Sequence, residues 1–186
     1  HNTDCMNFIQ WFCEEVKKDK KIDHVYFLGD WHEHRSSING QTLDFSYKCA
    51  KLLNELEIPV FMMIGNHDLY YRHSRKIYTT NPFDALSNII LVDEPIILDE
   101  TVNKVLLCPY LFHHEYPSLS MYSDVPIFIG HFEFAGFVVT GDHNTLKHGP
   151  DHNLLKDKKR IFSGHFHKRQ KSGNVLYIGN TFPMDF

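Results

Sequence analysis

Four short apolar runs in this sequence end in glycine followed at once by a residue able to bind a cation. They are FLGD at Asp30, MMIGN at Asn66, FIGH at His131 and IFSGH at His165, with His167 two residues further on. Runs of this length and composition read as buried strands, and glycine permits the tight turn that follows each one. In open α/β sheets the crevice beyond the carboxyl ends of the strands is where ligands sit. Polar residues far apart in the chain are therefore expected to converge at one place.

The intervening sequence supplies the elements such a sheet needs. Cys5, Phe8, Ile9, Phe12, Cys13 and Val16 recur at helical spacing, so a helix is predicted almost from the first residue. HVYFLGD (24–30) and IPVFMMIG (58–65) read as strands, with a helix over 42–56 between them, an order that predicts a parallel pair joined by a crossover helix. NIILV, PIILD, KVLLC, PIFIG, RIFSG and NVLYIG are further strand candidates, so the second half is expected to be richer in sheet. Residues 69–82 and 112–125 read as the least structured stretches.

A chain of 186 residues suits one domain with one substantial core, spanning 1–186. Without a long apolar run or a basic-then-apolar leader it is expected to be soluble and not secreted, with no membrane partner. The four cysteines are widely spaced and form no C-x-x-C pair, which argues for reduced structural thiols in a cytoplasmic protein. Net charge is −4, unlike a basic nucleic-acid coat. The two lysine-rich clusters, Lys17 to Lys21 and Lys156 to Arg160, read as solvated faces.

Fourteen histidines are unusually many, and histidine is the commonest metal ligand. The strand-end set mixes carboxylate, amide and imidazole without thiolate, which suits manganese, iron, zinc or a similar ion. Two such ions can hold a phosphate and stabilise attacking and leaving oxygens in line, so a phosphoester is the natural substrate. Gly-Asp and Gly-His are individually common. Gly-Asn-His-Asp at 65–68 is not, with a chance occurrence of about one in a hundred thousand per position at average residue usage.

In this order the blocks resemble the signature of the calcineurin-like metallophosphoesterases: D-x-H, GD, GNH[DE], GH and GHxH. Four of the five are present, from Asp30 to His167, and the chain opens on His1 where the first block would end. The resemblance implies a four-layer α/β/β/α sandwich with two mixed sheets, the domain being truncated at both ends and lacking its first strand. It implies two divalent ions, manganese foremost, with iron, zinc and magnesium as the other candidates. His1 and His167 would serve the first ion, Asn66, His131 and His165 the second, and Asp30 would bridge them. His67 takes the place of the family's catalytic histidine, beside the leaving oxygen, and Asp68 would orient it.

A narrower resemblance is to the SbcD-type DNA-repair nucleases and their phage recombination-endonuclease relatives. It is carried by GDWHEHR, GNHDLYY, GHFEFAGF followed by KHG, and FSGHFHKRQKSGNVLYIGNTF. It implies phosphodiester hydrolysis of DNA, as exonuclease and single-strand endonuclease, in a bacterial or phage-infected cytoplasm. An SbcC-like coiled-coil ATPase is the implied partner, with a homodimer as a further assembly. Glu33 stands where the family usually has an aspartate near the metals, and Arg35 matches a basic position of the phage relatives. Tyr70, Tyr71, Arg72 and His73, directly after GNHD, could meet a nucleic-acid strand by stacking and charge. A phosphatase or cyclic-nucleotide phosphodiesterase would use the same core blocks, and a non-catalytic scaffold on the same fold is the alternative outside enzymes.

Overall fold

The computed structural model describes residues 2–99, 103–140 and 144–182 of the chain. His1, for which a metal role is expected, lies outside the described residues. The fold is mixed α/β and divides into two compact units, with the chain passing between them more than once.

The first unit comprises the stretch ending at Phe27, Trp31–Met62 and His67–Leu91. Helix α1 (Asn2–Lys18) forms because Ile9, Cys13 and Val16 fall on one face and are buried there. Asp4 in its first turn and Lys17 and Lys18 in its last complement the helix dipole. Strand β1 (Val25–Phe27) leads to α2 (Gly40–Asn54), whose N-terminus is set by Asn39: its side-chain oxygen accepts from the Thr42 backbone N–H at 2.9 Å. The helix expected over 42–56 therefore starts and ends two residues earlier, because the cap and not the apolar stripe fixes its start. Strand β2 (Val60–Met63) pairs parallel with β1, Val25 opposite Val60 and Phe27 opposite Met62, as the strand, helix, strand order predicts.

Residues 69–82, read from sequence as the least structured, contain a hairpin and a 3-10 turn. Strands β3 (Leu69–Tyr71) and β4 (Ser74–Tyr78) pair antiparallel with an irregular register, and a 3-10 turn spans Asn81–Ala85. The hairpin escapes detection because its turn, Arg72-His73, carries no glycine or asparagine. Strand β5 (Ile89–Val92) flanks β2. Ala50, Leu53, Val60, Met62, Phe83 and Ile89 form the centre of this unit's core.

The second unit comprises Leu28–Asp30, Met63–Asn66 and the chain from Val92 onward. Its sheet has six strands in the order β12-β13-β11-β8-β7-β6. They are β6 (Ile96–Leu98), β7 (Val105–Cys108), β8 (Ile127–Gly130), β11 (Arg160–Ser163), β12 (Gln170–Ser172) and β13 (Val175–Tyr177). The four central strands are parallel and the two edge strands antiparallel, so the sheet is mixed. A small ribbon, β9 (Val138–Thr140) with β10 (Asn144–Thr145), stands apart. All four residues of β7 are buried, as an interior parallel strand requires, and Phe128, Ile161 and Val175 of the neighbouring strands are fully buried with them. Each such side chain contributes roughly 1.5–3 kcal/mol by leaving water.

The stretch 112–125, also expected to lack structure, holds a 3-10 helix over His113–Tyr122. Its carboxyl end is gripped by Lys158, which the sequence placed on a solvated face. The Lys158 side chain is 3% exposed, and its Nζ donates to the carbonyl oxygens of Tyr122 and Ser123, each at 3.0 Å, while lying 5.1 Å from the Phe128 ring centroid. A cation can be buried there because two carbonyl dipoles and an aromatic face replace its water.

Candidate metal centre

Asp30 follows β1, Asn66 follows β2, His131 follows β8 and His165 follows β11, and all four belong to the second unit. Two of the connecting glycines are forced by close approach. A Cβ on Gly29, whose φ is +91°, would stand 2.5 Å from His131 Nδ1, and a Cβ on Gly65 would collide with the Asp30 carboxylate and backbone nitrogen. Asp30 and His165 themselves have φ of +57° and +80°, a region L-residues enter at a cost of roughly 1–3 kcal/mol. Half of the converging side chains therefore sit on strained backbone, which the packed glycine turns hold in place.

His131 is fully buried, and its Nδ1–H donates to the Leu28 carbonyl at 2.6 Å. That bond fixes the tautomer and leaves a lone pair on Nε2. Around Nε2 stand Asn66 Oδ1 at 3.0 Å, His165 Nδ1 at 3.1 Å and Asp30 Oδ2 at 3.2 Å, and Asn66 Oδ1 is 2.9 Å from His165 Nδ1. On the far side of the His165 ring, Nε2 faces Glu133 Oε1 at 3.6 Å, so the proton of a neutral ring is favoured there and Nδ1 is left as an acceptor. Four atoms that can each offer a lone pair thus face one another, an arrangement that suits a cation. Two nitrogens and two oxygens suit a divalent ion such as manganese, iron or zinc. Burial also pushes the His165 imidazole below its ordinary pKa, favouring the neutral ring that a metal needs.

The loop that carries His131 is tied down by hydroxyls from the adjacent strands. Phe132 N–H donates to Ser163 Oγ at 2.9 Å, Phe134 N–H to the Tyr177 hydroxyl at 3.1 Å, and that hydroxyl donates to the Phe132 carbonyl at 3.0 Å. Ser163 and Tyr177 are wholly buried. His165 beside it, helped by His113 and Tyr110, holds the Glu133 carboxyl down at about 2 against the opposing effect of burial. Sequence reasoning missed Glu133, Tyr177 and the Leu28 carbonyl. GHFEFAGF and YIGNTF carry the resemblance as stretches and assign no physical role to any one residue, and a main-chain acceptor leaves no mark in sequence.

The remaining expected residues are not among the four converging atoms. His167 is exposed, and its carbonyl accepts from Asn180 N–H at 2.9 Å. In the first unit, His67 Nδ1 donates to the Glu33 carbonyl at 2.9 Å, so Glu33 acts there through its main chain while its side chain is exposed. Asp68 is fully buried and accepts from the His32 backbone N–H at 3.1 Å. The His32 ring is buried between Thr79 Oγ1 at 2.8 Å and Ser46 Oγ at 2.7 Å, and burial lowers its pKa to about 4. Arg35 is half-buried, and Tyr70, Tyr71, Arg72 and His73 form the exposed end of the hairpin. The two tyrosine rings meet edge to face, with centroids 4.8 Å apart.

Strands that end in imidazole, amide and carboxylate donors around a single point define a protein class built to hold divalent ions. Residues 1–169 match the calcineurin-like phosphoesterase family, and the chain belongs to it. Over 175 residues it is 26% identical to exonuclease subunit 1 of Enterobacteria phage T4, an alignment covering 91% of this chain and 51% of that protein. The chain therefore spans about half the length of the curated relative it matches. Among the described residues no helix is long and apolar enough to cross a membrane.

Proposed function

We propose that this chain carries the nuclease active site of a two-metal phosphodiesterase acting on DNA. The observation that carries the reading is the convergence of His131 Nε2, His165 Nδ1, Asn66 Oδ1 and Asp30 Oδ2, and the similarity to a phage exonuclease subunit turns it toward nucleic acid. Asn66, His131 and His165, with Asp30 beside them, would hold one ion, and His167 with His1 would serve the other. When bound, the ions would draw charge from the scissile phosphate and make an attacking water more acidic.

The chain's own residues supply the rest. With Nδ1–H engaged by the Glu33 carbonyl, His67 presents Nε2 and in its protonated form can donate to the leaving oxygen. Asp68, one residue on, would support the charged imidazole. The hairpin contributes to binding. Residues 69–78 contain Arg72, Arg75 and Lys76 and no carboxylate, within a chain of net charge −4. Tyr70 and Tyr71 expose faces on which unpaired bases could stack. Manganese is the ion of first choice. An SbcC-like ATPase, a second copy of the chain and a cytoplasmic setting complete the reading, supported by the description of the phage relative as a subunit.

The test is hydrolysis of labelled single- and double-stranded DNA with manganese, beside an aryl phosphodiester and an aryl phosphomonoester. DNA cleavage is expected, and His67→Ala should lower turnover by a factor of about 100 or more with metal content unchanged. Turnover of the small esters alone would replace the nuclease reading with a general phosphatase or phosphodiesterase. Unchanged turnover in the variant would remove His67 from the mechanism.

A further inference from the structure

We infer that Glu133 is a positioning residue of the metal centre: it selects the tautomer of His165 and thereby sets the affinity of the ion that His165 ligates. The inference rests on the metal-centre reading and assigns a function to a side chain outside the converging set.

The argument begins with proton counting. A neutral imidazole has one N–H, and His165 can ligate through Nδ1 only if that proton is on Nε2. His165 Nδ1 lies 3.1 Å from His131 Nε2 and 2.9 Å from Asn66 Oδ1. With no cation present, a proton on Nδ1 would be welcomed by both of those acceptors. The unaided protein would therefore favour the wrong tautomer. Glu133 opposes this from the other side of the ring, where its Oε1 faces Nε2 at 3.6 Å. At that distance the contact is electrostatic more than a full hydrogen bond, and its sign is still decisive: a carboxylate facing a bare ring nitrogen is repelled, and one facing N–H is attracted.

The carboxylate is itself held against rotation. Its Oε2 receives the Tyr110 hydroxyl at 3.1 Å and His113 Nε2–H at 3.0 Å, and the Glu133 backbone N–H donates to the Tyr116 hydroxyl at 2.8 Å. Tyr110 lies just before, His113 at the start of and Tyr116 within the 3-10 helix that Lys158 anchors at its other end. Two donors on Oε2 leave Oε1 as the atom turned toward His165. Tyr110 also walls the site, its ring centroid 6.1 Å from that of His131 and 6.0 Å from that of His165.

This arrangement makes glutamine an informative substitute. If the amide of Glu133→Gln keeps its oxygen toward His165, its NH2 group meets the two donors, Tyr110 and His113. If it turns round to satisfy them, NH2 faces His165 Nε2 and drives the proton to Nδ1, the atom needed for the ion. The two donors favour the turned arrangement, and it weakens metal binding without removing volume. Glu133→Asp keeps the charge and retreats by one methylene, so it should recover part of the wild-type behaviour.

The experiment measures manganese binding by calorimetry and, on the metal-free protein, the 15N shifts of His165, which report where its proton sits. Wild type, Glu133→Ala, Glu133→Gln and Glu133→Asp are compared, each checked for cooperative unfolding. The wild type should show the Nε2–H tautomer. Alanine and glutamine should move the proton toward Nδ1 and raise the manganese Kd by roughly 10- to 100-fold, with aspartate between them and the wild type. Should alanine fail to fold, the isosteric glutamine carries the comparison. Unchanged Kd and unchanged tautomer in the folded variants would overturn the role of Glu133 and leave the metal centre standing. A wild type that binds no manganese, iron or zinc would instead remove the metal-centre reading itself.

Discussion

Gly65→Ala is the smallest change that should dismantle the site. The added methyl group would place its carbon 2.8 Å from Asp30 Cγ and closer still to Asp30 Oδ1 and backbone nitrogen. Ordinary contact begins near 3.4 Å, so Cγ must recede by roughly 0.6 Å (3.4 minus 2.8) and the closer atoms by more. The obstacle includes main chain, which no rotamer change relieves, and overpacking of this kind costs about 1–3 kcal/mol. Metal binding should suffer more than folding does, because ligand positions tolerate only about 0.2 Å. Calorimetry with manganese should show affinity reduced by more than about tenfold, while the urea midpoint shifts by an amount equivalent to about 1–3 kcal/mol. A Gly65→Ala protein that binds manganese as the wild type does would refute the claim that Asp30 is held by this close approach.

Three further outcomes concern the scaffold. His32 has a folded pKa of about 4, against an ordinary value of 6.5, so between those values the unfolded chain takes up a proton that the folded one refuses. Stability should therefore fall as pH drops through that window, with His32 contributing about 2 kcal/mol between pH 7.5 and pH 5, and the loss should shrink by that amount in His32→Gln when urea midpoints are compared. Lys158→Met keeps the buried stem and removes the bonds to Tyr122 and Ser123, so it should cost about 2–4 kcal/mol in urea unfolding. Asp157, 59% exposed although 3.1 Å from the same ammonium, should cost less than about 1 kcal/mol as Asp157→Asn. Equal costs for the two would place the stabilisation in the ion pair.

Much of this was readable in advance because strand-end glycines and their neighbours are local signals with a strong physical cause. Asp30, Asn66, His131 and His165 were each visible as a polar residue closing an apolar run, and the parallel pairings of β1 with β2 and of β8 with β11 bring the members of each pair to one end of their own sheet. The supporting groups were hidden for three different reasons. Glu133 depends on contacts 20 and 32 residues away, with His113 and His165, so no window of sequence displays it. Lys158 sits in a charged run whose other members are exposed, and composition cannot tell which one turns inward. The β3–β4 hairpin breaks the usual turn chemistry at Arg72-His73, and helix limits shifted with the cap at Asn39.

The Leu28 carbonyl that receives His131 and the Glu33 carbonyl that receives His67 are main-chain atoms. Every amino acid that could replace Leu28 or Glu33 brings the same acceptor. Orientation of these two imidazoles is thus carried by the path of the backbone and is insulated from point substitution at the positions that provide it. His165 has no such insurance, since the group facing its outer nitrogen is a side chain. An alanine scan would record silence at 33, a packing loss at 28 and a metal defect at 133, and would rank the three positions by replaceability, not by what each does for its histidine.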